Sequence, residues 1–240
     1  MGEVDHVLPQ GRWTFDGDVT AAFDDMLARS IPQYEAMRDL VFGIGARFVR
    51  EGTTIVDLGA SRGEAVARFF QRFGAYNQYC LVEVSEPMLA VLRERFEPDP
   101  RPRTKLFTIS GTDLRRDYPP VHASLTLCVL TLQFTPIEYR QQIVRRIFEH
   151  TLPGGALILV EKVIGPTAKL DDVLVAEYLE MKRAHGYSED EIQRKRLALE
   201  GVLVPVTAKW NEELLRAAGF AEVECFWRNL NFAGWVAVRT

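Results

Sequence analysis

The stretch TIVDLGASRG, Thr54 to Gly63, constrains this chain more than any other. Ile55, Val56 and Leu58 form a short apolar run rich in β-branched residues. Gly59, Ser61 and Gly63 follow at every second position, ahead of the helical pattern of Glu64 to Phe73. The segment predicts strand, loop and helix in that order. Glycine lets the backbone turn sharply and pass close to a ligand, and the free N–H groups at the start of the helix favour an anion. Asp57, at the strand end, would repel a pyrophosphate, so the loop suits a ligand that carries both an ammonium and a carboxylate. S-adenosylmethionine (SAM) is such a ligand.

With 240 residues, 47% hydrophobic and 26% charged, the chain can bury the core of one large α/β domain, and no Pro/Gly/Ser-rich linker divides it. A single domain over 1–240 is expected. A net charge of −4 argues against a broad nucleic-acid footprint, so no direct nucleic-acid partner is expected. Cys80, Cys128 and Cys225 each lie inside an apolar run, as reduced thiols of a cytoplasmic protein do, and their spacing holds no metal-ligand pattern. No metal site is expected. The N-terminus has no apolar core for a signal peptide, and no run approaches the roughly 18 apolar residues of a membrane span. The reading is a soluble, cytoplasmic protein without a membrane partner.

Residues 1–52 precede the central loop. Residues 1–17 lack a period and read as an irregular arm anchored by Trp13 and Phe15. Asp18 is placed to cap a helix over Val19 to Arg29, which Pro32 interrupts. From Tyr34 to Val49, the residues Met37, Leu40, Val41, Ile44 and Phe48 share one face of an amphipathic helix, and Gly52 ends it. These helices are expected to form a lid over the site.

Beyond the loop, Val66, Phe69, Phe70 and Phe73 turn one face of a crossover helix to the sheet, and Gly74 closes it. Tyr79 to Val84 predicts a second strand. Glu83, 24 residues past Gly59, stands where an acid accepts both ribose hydroxyls of a nucleoside, or else is a solvated carboxylate at a strand end. Ser85 and Pro87 start the next helix, and Leu106 to Ile109 predicts a third strand. Asp113, in the following GTDL, either takes the adenine amino group or forms a turn. Ala123 to Val129, a helix after Pro136, the turn Thr151 to Gly155 and a strand over Ala156 to Val163 continue the alternation. Strands alternating with helices predict a parallel, doubly wound sheet whose ligands sit outside the carboxyl ends of its strands. The polar candidates all fall at those ends.

A helical insertion within 165–206 follows the fifth strand. Ser188 and Glu191 make a capping-box pattern opening a helix that carries Arg194, Lys195 and Arg196. Three successive cations cannot share one face, so the run is either solvated or turns one member inward. Thr207 caps a last helix ending at Gly219, and Val223 to Trp227 and Asn231 to Val238 predict two closing strands. A seven-stranded, mostly parallel sheet whose last strand is antiparallel is the α/β, Rossmann-like fold of class I SAM methyltransferases.

The segments GRWTF, DDMLARSIPQY, VDLGAS, TLQF, PGGALILVEK, KRAHGYSEDEI, KRLALEGVL and RNLNF together resemble the carboxy-S-adenosylmethionine synthase family of bacteria over nearly the whole chain. DLGxSxG and PGG are common to many methyltransferases, whereas RSIPQY and GYSEDEIQRKRLALE are far more restrictive. The resemblance implies conversion of SAM and prephenate to carboxy-SAM, the donor with which a separate enzyme modifies a tRNA wobble uridine. It also implies a homodimer and a site that holds SAM, carboxy-SAM or S-adenosylhomocysteine (SAH).

By the same resemblance, Tyr34 contacts SAM. Gly59, Ala60 and Ser61, beside Asp57, form the glycine loop. Glu83 with Val84 lies at the ribose, Asp113 with Leu114 at the adenine, and Val129 follows the fourth strand. The family's defining arginine matches Arg196, whose planar fork suits a bidentate pair with the transferred carboxylate. Glu83 stands where the family has aspartate, and Val84 and Val129 where it has asparagine. Those losses of polar contact keep open a SAM-dependent small-molecule methyltransferase, and a non-catalytic SAM-binding or dimerisation module is the remaining alternative. His6, His122, His150 and His185 read as structural or exposed.

Overall fold

Ile55, Val56 and Leu58 fall in β1, Thr54–Leu58, at the middle of the sheet in the computed structural model, which describes residues 4–97 and 106–240. All five β1 residues are buried, as in a parallel strand covered on both faces by helices. β2, Gln78–Val82, and β4, Ala123–Val129, flank it in parallel. β3, Phe107–Ser110, extends the β2 side, and β5, Thr151–Ile164, extends the β4 side. β8, Phe232–Val238, pairs antiparallel with β5 and forms a hairpin with β7, Glu222–Asn229. The order is β3-β2-β1-β4-β5-β8-β7, and a two-residue strand, β6, Val206–Thr207, pairs with β5 off this path.

Side chains alternate across each strand, so the sheet feeds two cores. Val56, Leu58 and Cys80 join Trp235 on one face, against α6, Ile137–His150, and α9, Ala208–Ala218. Ile55, Tyr79 and Leu81 face the other way, onto α3, Tyr34–Gly45, and α4, Glu64–Phe73. α5, Glu86–Phe96, starts at Ser85 with Pro87 in its first turn, and Gly74 caps α4 at φ 55°. The insertion is α7, Ala168–Ala184, followed by α8, Glu189–Leu199. Ser188 and Glu191 cap α8 reciprocally, and Thr207 and Gly219 bound α9.

Several boundaries differ from expectation. The first helix is split at Ala22 into α1, Gly17–Ala21, and α2, Phe23–Ser30, and its cap is Asp16, whose Oδ1 accepts from the Val19 N–H at 3.0 Å, in place of Asp18. α3 stops at Gly45, where the Phe69 ring lies so near that a Cβ would meet it at 3.0 Å; Gly52, at φ 78°, belongs to the later turn into β1. The TLPGG turn lies inside β5 as a bulge, since Thr151 pairs with Ala123 but Ala156 with Leu125. Met1 to Glu3 of the arm lie outside the described residues.

Phe69 is fully buried, with its ring 5.1 Å from Phe42 in edge contact. Phe69→Ala is expected to lower unfolding free energy by about 3–5 kcal/mol in urea titrations. Tyr76→Ala, at a site 71% exposed, should stay within about 0.5 kcal/mol. A Phe69→Ala loss as small as the Tyr76 control would contradict the packing described.

Candidate functional site

The carboxyl ends of β1 to β5 open into one cavity of about 650 Å³. Trp13 and Phe15 of the arm, together with residues of α2 and α3, wall its other side. The arm is tied down from both ends: the Trp13 N–H donates to the Ala198 carbonyl at 2.8 Å, and Phe15 meets Phe134 edge-on at 5.0 Å. The expected lid residues therefore do line the site.

Gly59 follows β1 at φ 71°, and its N–H and that of Ala60 donate to the Val82 carbonyl at 2.8 and 2.9 Å. A Cβ on Gly59 would fall 2.2 Å from Thr131 Oγ1, so only glycine fits between the loop and the β4 end. Glu83 stitches this loop to β2. Its Oε2 accepts from the Ser61 N–H at 2.9 Å, and Oε1 accepts from the N–H groups of Val84 and Ser85 at 2.7 and 2.9 Å. A carboxylate offers about four acceptor positions, so Glu83 keeps capacity for a ligand hydroxyl.

Asp57 is 2% exposed, and its Oδ2 has no partner among the described residues. Burial, aided by repulsion from Glu83, pushes its carboxyl up to about 7, and the Val66 N–H offsets only part of this. Asp113 lines the cavity beyond β3, but Arg115 holds it through a fork at 2.7 to 3.1 Å, which lowers its pKa. Leu114 lines the wall beside it, and Val84, 64% exposed, presents an apolar surface at the β2 end. Tyr34, at the start of α3, also faces the cavity, with its phenol pushed up to about 12 by burial and therefore neutral. Val129 lines the β4 end, where its carbonyl accepts from Thr131 Oγ1 at 3.1 Å.

The backbone after β4 is held from beneath. Glu161, buried and pushed up to about 8 by that burial, accepts from the Leu132 N–H at 2.9 Å. Arg140, equally buried, donates to the carbonyls of Gln133, Thr135 and Val204 at 2.7 to 3.2 Å. These bonds fix the turn that carries Thr131 and Gln133 into the cavity wall.

Ten of the eleven residues singled out in the sequence, all but Arg196, line this cavity. Arg196 is exposed on α8 and lies outside the lining. The helix period decides this, because the inward positions of α8 are Ile192, Lys195 and Ala198, and the residue after Lys195 is turned about 100° away. Lys195, 3% exposed, is the cation that turns in; it donates to Asp5, which also accepts from the Tyr187 hydroxyl. The four histidines line none of the cavity, and His150 and His185 bond to the carbonyls of Arg146 and Arg29.

Sequence reasoning passed over Lys162 on β5 and Tyr178 and Lys182 on α7, all of which line the cavity. Lys162 was findable, since it sits at the carboxyl end of a strand like the other candidates. Tyr178 and Lys182 are the buried positions of α7 and lie on a face shared with half-buried Leu174, Val175 and Met181, so the helical spacing of that face could have found them.

A family model described as a methyltransferase domain matches residues 56–157. Among solved structures, human N-acetylserotonin methyltransferase in complex with SAM is similar at a TM-score of 0.59, with 13% identity over 92% of this chain and 55% of that one. A methyltransferase of calicheamicin biosynthesis in its SAH-bound form is similar at 0.57, with 16% identity over 94% and 59%. These likenesses show the class I SAM methyltransferase fold. Two curated relatives are each named carboxy-S-adenosyl-L-methionine synthase. That of Wolinella succinogenes is 38% identical over 228 residues, 94% of this chain and 93% of its own. That of Methylococcus capsulatus is 36% identical over 226 residues, 94% and 93% of the two chains. With this identity sustained over nearly its full length, the chain belongs to the carboxy-S-adenosyl-L-methionine synthase family.

Proposed function

We propose that the cavity binds SAM and that the protein converts it, with prephenate as the second substrate, to carboxy-SAM. The observation that carries this reading is Asp57, a buried carboxylate at the glycine loop with an oxygen lacking any partner, beside a second acid, Glu83. Such a pair is costly when the cavity is empty and is relieved by a ligand bearing an ammonium and a sulfonium. Glu83 suits the ribose hydroxyls, Val84 and Leu114 an adenine face, and Asp113 the adenine amino group if it shares its fork with Arg115. When bound, SAM supplies a methyl group acidified by its sulfonium, which gives up a proton and bonds to the CO2 lost from prephenate, whose ring aromatises as hydroxide leaves and takes that proton as water. The protein's part is position and charge: Gly59 to Ser61 bring the backbone close, and Trp13, Phe15 and Tyr34 exclude water.

Leu170 and Val173 on α7 and Leu197 on α8 are about half exposed, which supports a homodimer through the insertion. No helix among the described residues is long and apolar enough to cross a membrane. Buried, free Cys80 and Cys128 fit the cytoplasm, and likeness to the family supports use of the product in tRNA wobble modification. A small-molecule methyltransferase is the second reading, favoured by Val84 and Val129 at positions where the family has asparagine and by the exposure of Arg196.

Mass spectrometry of reactions with SAM and prephenate tests the proposal. Carboxy-SAM is the expected product. Turnover to SAH with a methylated acceptor would support the second reading, and unaltered, unbound SAM would leave only a module.

The Asp57 assignment predicts a pH dependence. Between the ordinary carboxylate range and about 7, the folded, empty protein keeps a proton on Asp57 that the unfolded chain has released, so stability falls as pH rises through this window. A cationic ligand needs the ionised form, so SAM affinity should rise by roughly tenfold from about pH 5.5 to 7.5. Asp57→Asn should flatten that rise in calorimetric titrations. A flat wild-type profile would remove Asp57 from ligand binding.

A further inference from the structure

Residues 4–16 form neither helix nor strand, yet Trp13 and Phe15 within them wall the cavity. Among the described residues, one backbone–backbone hydrogen bond ties residues 4–15 to another element, from the Trp13 N–H to the Ala198 carbonyl. Side chains do the rest of the holding, at two clips.

The first clip is on the insertion. Asp5, fully buried, accepts from the Lys195 ammonium of α8 and from the Tyr187 hydroxyl just before that helix, and both partners are buried too. Arg29 of α2 donates to the Asp5 carbonyl at 3.2 Å, and the Asp5 N–H donates to Asp25 at 2.8 Å. The second clip is at the acid expected to hold the ribose. Ser85 Oγ donates to the Phe15 carbonyl at 2.6 Å, while the Ser85 N–H donates to Glu83 Oε1 at 2.9 Å. One residue thus joins the arm to that carboxylate. Phe15 reaches from there to Phe134, beyond β4, and since β1 lies between β2 and β4, the arm spans the end of β1 and its glycine loop. An irregular segment held by side chains opens at lower cost than paired strands or packed helices, and such segments commonly govern ligand release.

We propose that the arm is a strap over the bound nucleoside, and that Asp5 and Ser85 are positioning residues whose clips must open before the ligand leaves. This rests on the reading that the nucleoside lies at Glu83. Neither Asp5 nor Ser85 lines the cavity, so their influence on a ligand passes through the arm. What they set is the rate of release.

The test uses the full chain as wild type, Asp5→Asn, Ser85→Ala and Ser85→Asp. Leu215→Ala is the control, a fully buried core residue outside the cavity lining, whose loss lowers stability without touching the arm. Each protein is loaded with SAH, its dissociation is followed by stopped flow, and hydrogen exchange of residues 4–16 is measured with and without SAH. Asp5→Asn and both Ser85 variants are expected to release SAH at least about tenfold faster, with association within about threefold of wild type and faster exchange in the arm. Leu215→Ala should release SAH at the wild-type rate despite its lower melting temperature.

Unchanged release in Asp5→Asn and both Ser85 variants, or an equal acceleration in Leu215→Ala, would overturn the strap. An effect in Ser85→Ala alone would belong to the cap of α5, which aspartate preserves, and one in Ser85→Asp alone to its added charge; either would remove Ser85 from the proposal. If the wild type takes up no SAH, the SAM reading fails. Faster arm exchange in the same variants would then still uphold the strap, and unchanged exchange would refute it.

Discussion

The reversal of strand order between β1 and β4 is the constraint on which the site depends. Both strands run parallel, but the chain leaves β1 toward β2 and β3 and returns on the other side through β4 and β5. The connections on the two sides therefore diverge, and the crevice between them opens at the carboxyl ends of all five strands. Gly59 is where this geometry is tightest. Its φ of 71° and its approach to Thr131 let the first loop cross the β4 end, and any side chain there would force the two apart.

Electrostatics then gives the crevice a direction. Acids gather toward β1 and β2, and burial aided by Glu83 holds the Asp57 carboxyl above its ordinary range. Lysines gather on the β5 and α7 side, where rings of Tyr178 and Tyr187 shield them. Arg38, Arg62, Arg68 and Arg115 line the same cavity, so charges of both signs face it and it is poorly suited to a uniformly apolar ligand. The buried Glu161 and Arg140 beneath the post-β4 turn serve this arrangement by fixing backbone that carries no charge of its own.

Much of this was legible in the sequence because it is local. β-branched runs, the glycines after β1, the Ser188–Glu191 box and the Thr207 cap act within a few residues, and the structure has them where the pattern places them. Glu83 and Asp113 were legible through topology, since parallel strands must end on the same side. The failures arise from tertiary contacts. Asp18 has the right chemistry for a cap, but Asp16 has the extended backbone that lets its oxygen reach Val19. Among the three cations of α8, the phase set by Ile192 and Ala198 packing inward turns Lys195 in and leaves Arg196 on the exposed face. Tyr178 and Lys182 lie on the face of α7 that Leu174, Val175 and Met181 mark by helical spacing, but where that face meets the sheet is set by tertiary packing.

A crystal structure with carboxy-SAM bound tests the central claim most directly. The account predicts the ribose at Glu83 and the amino group of the methionine portion at Asp57. A nucleoside lodged away from Glu83, or an added carboxylate directed toward Asp57 and Glu83, would contradict it.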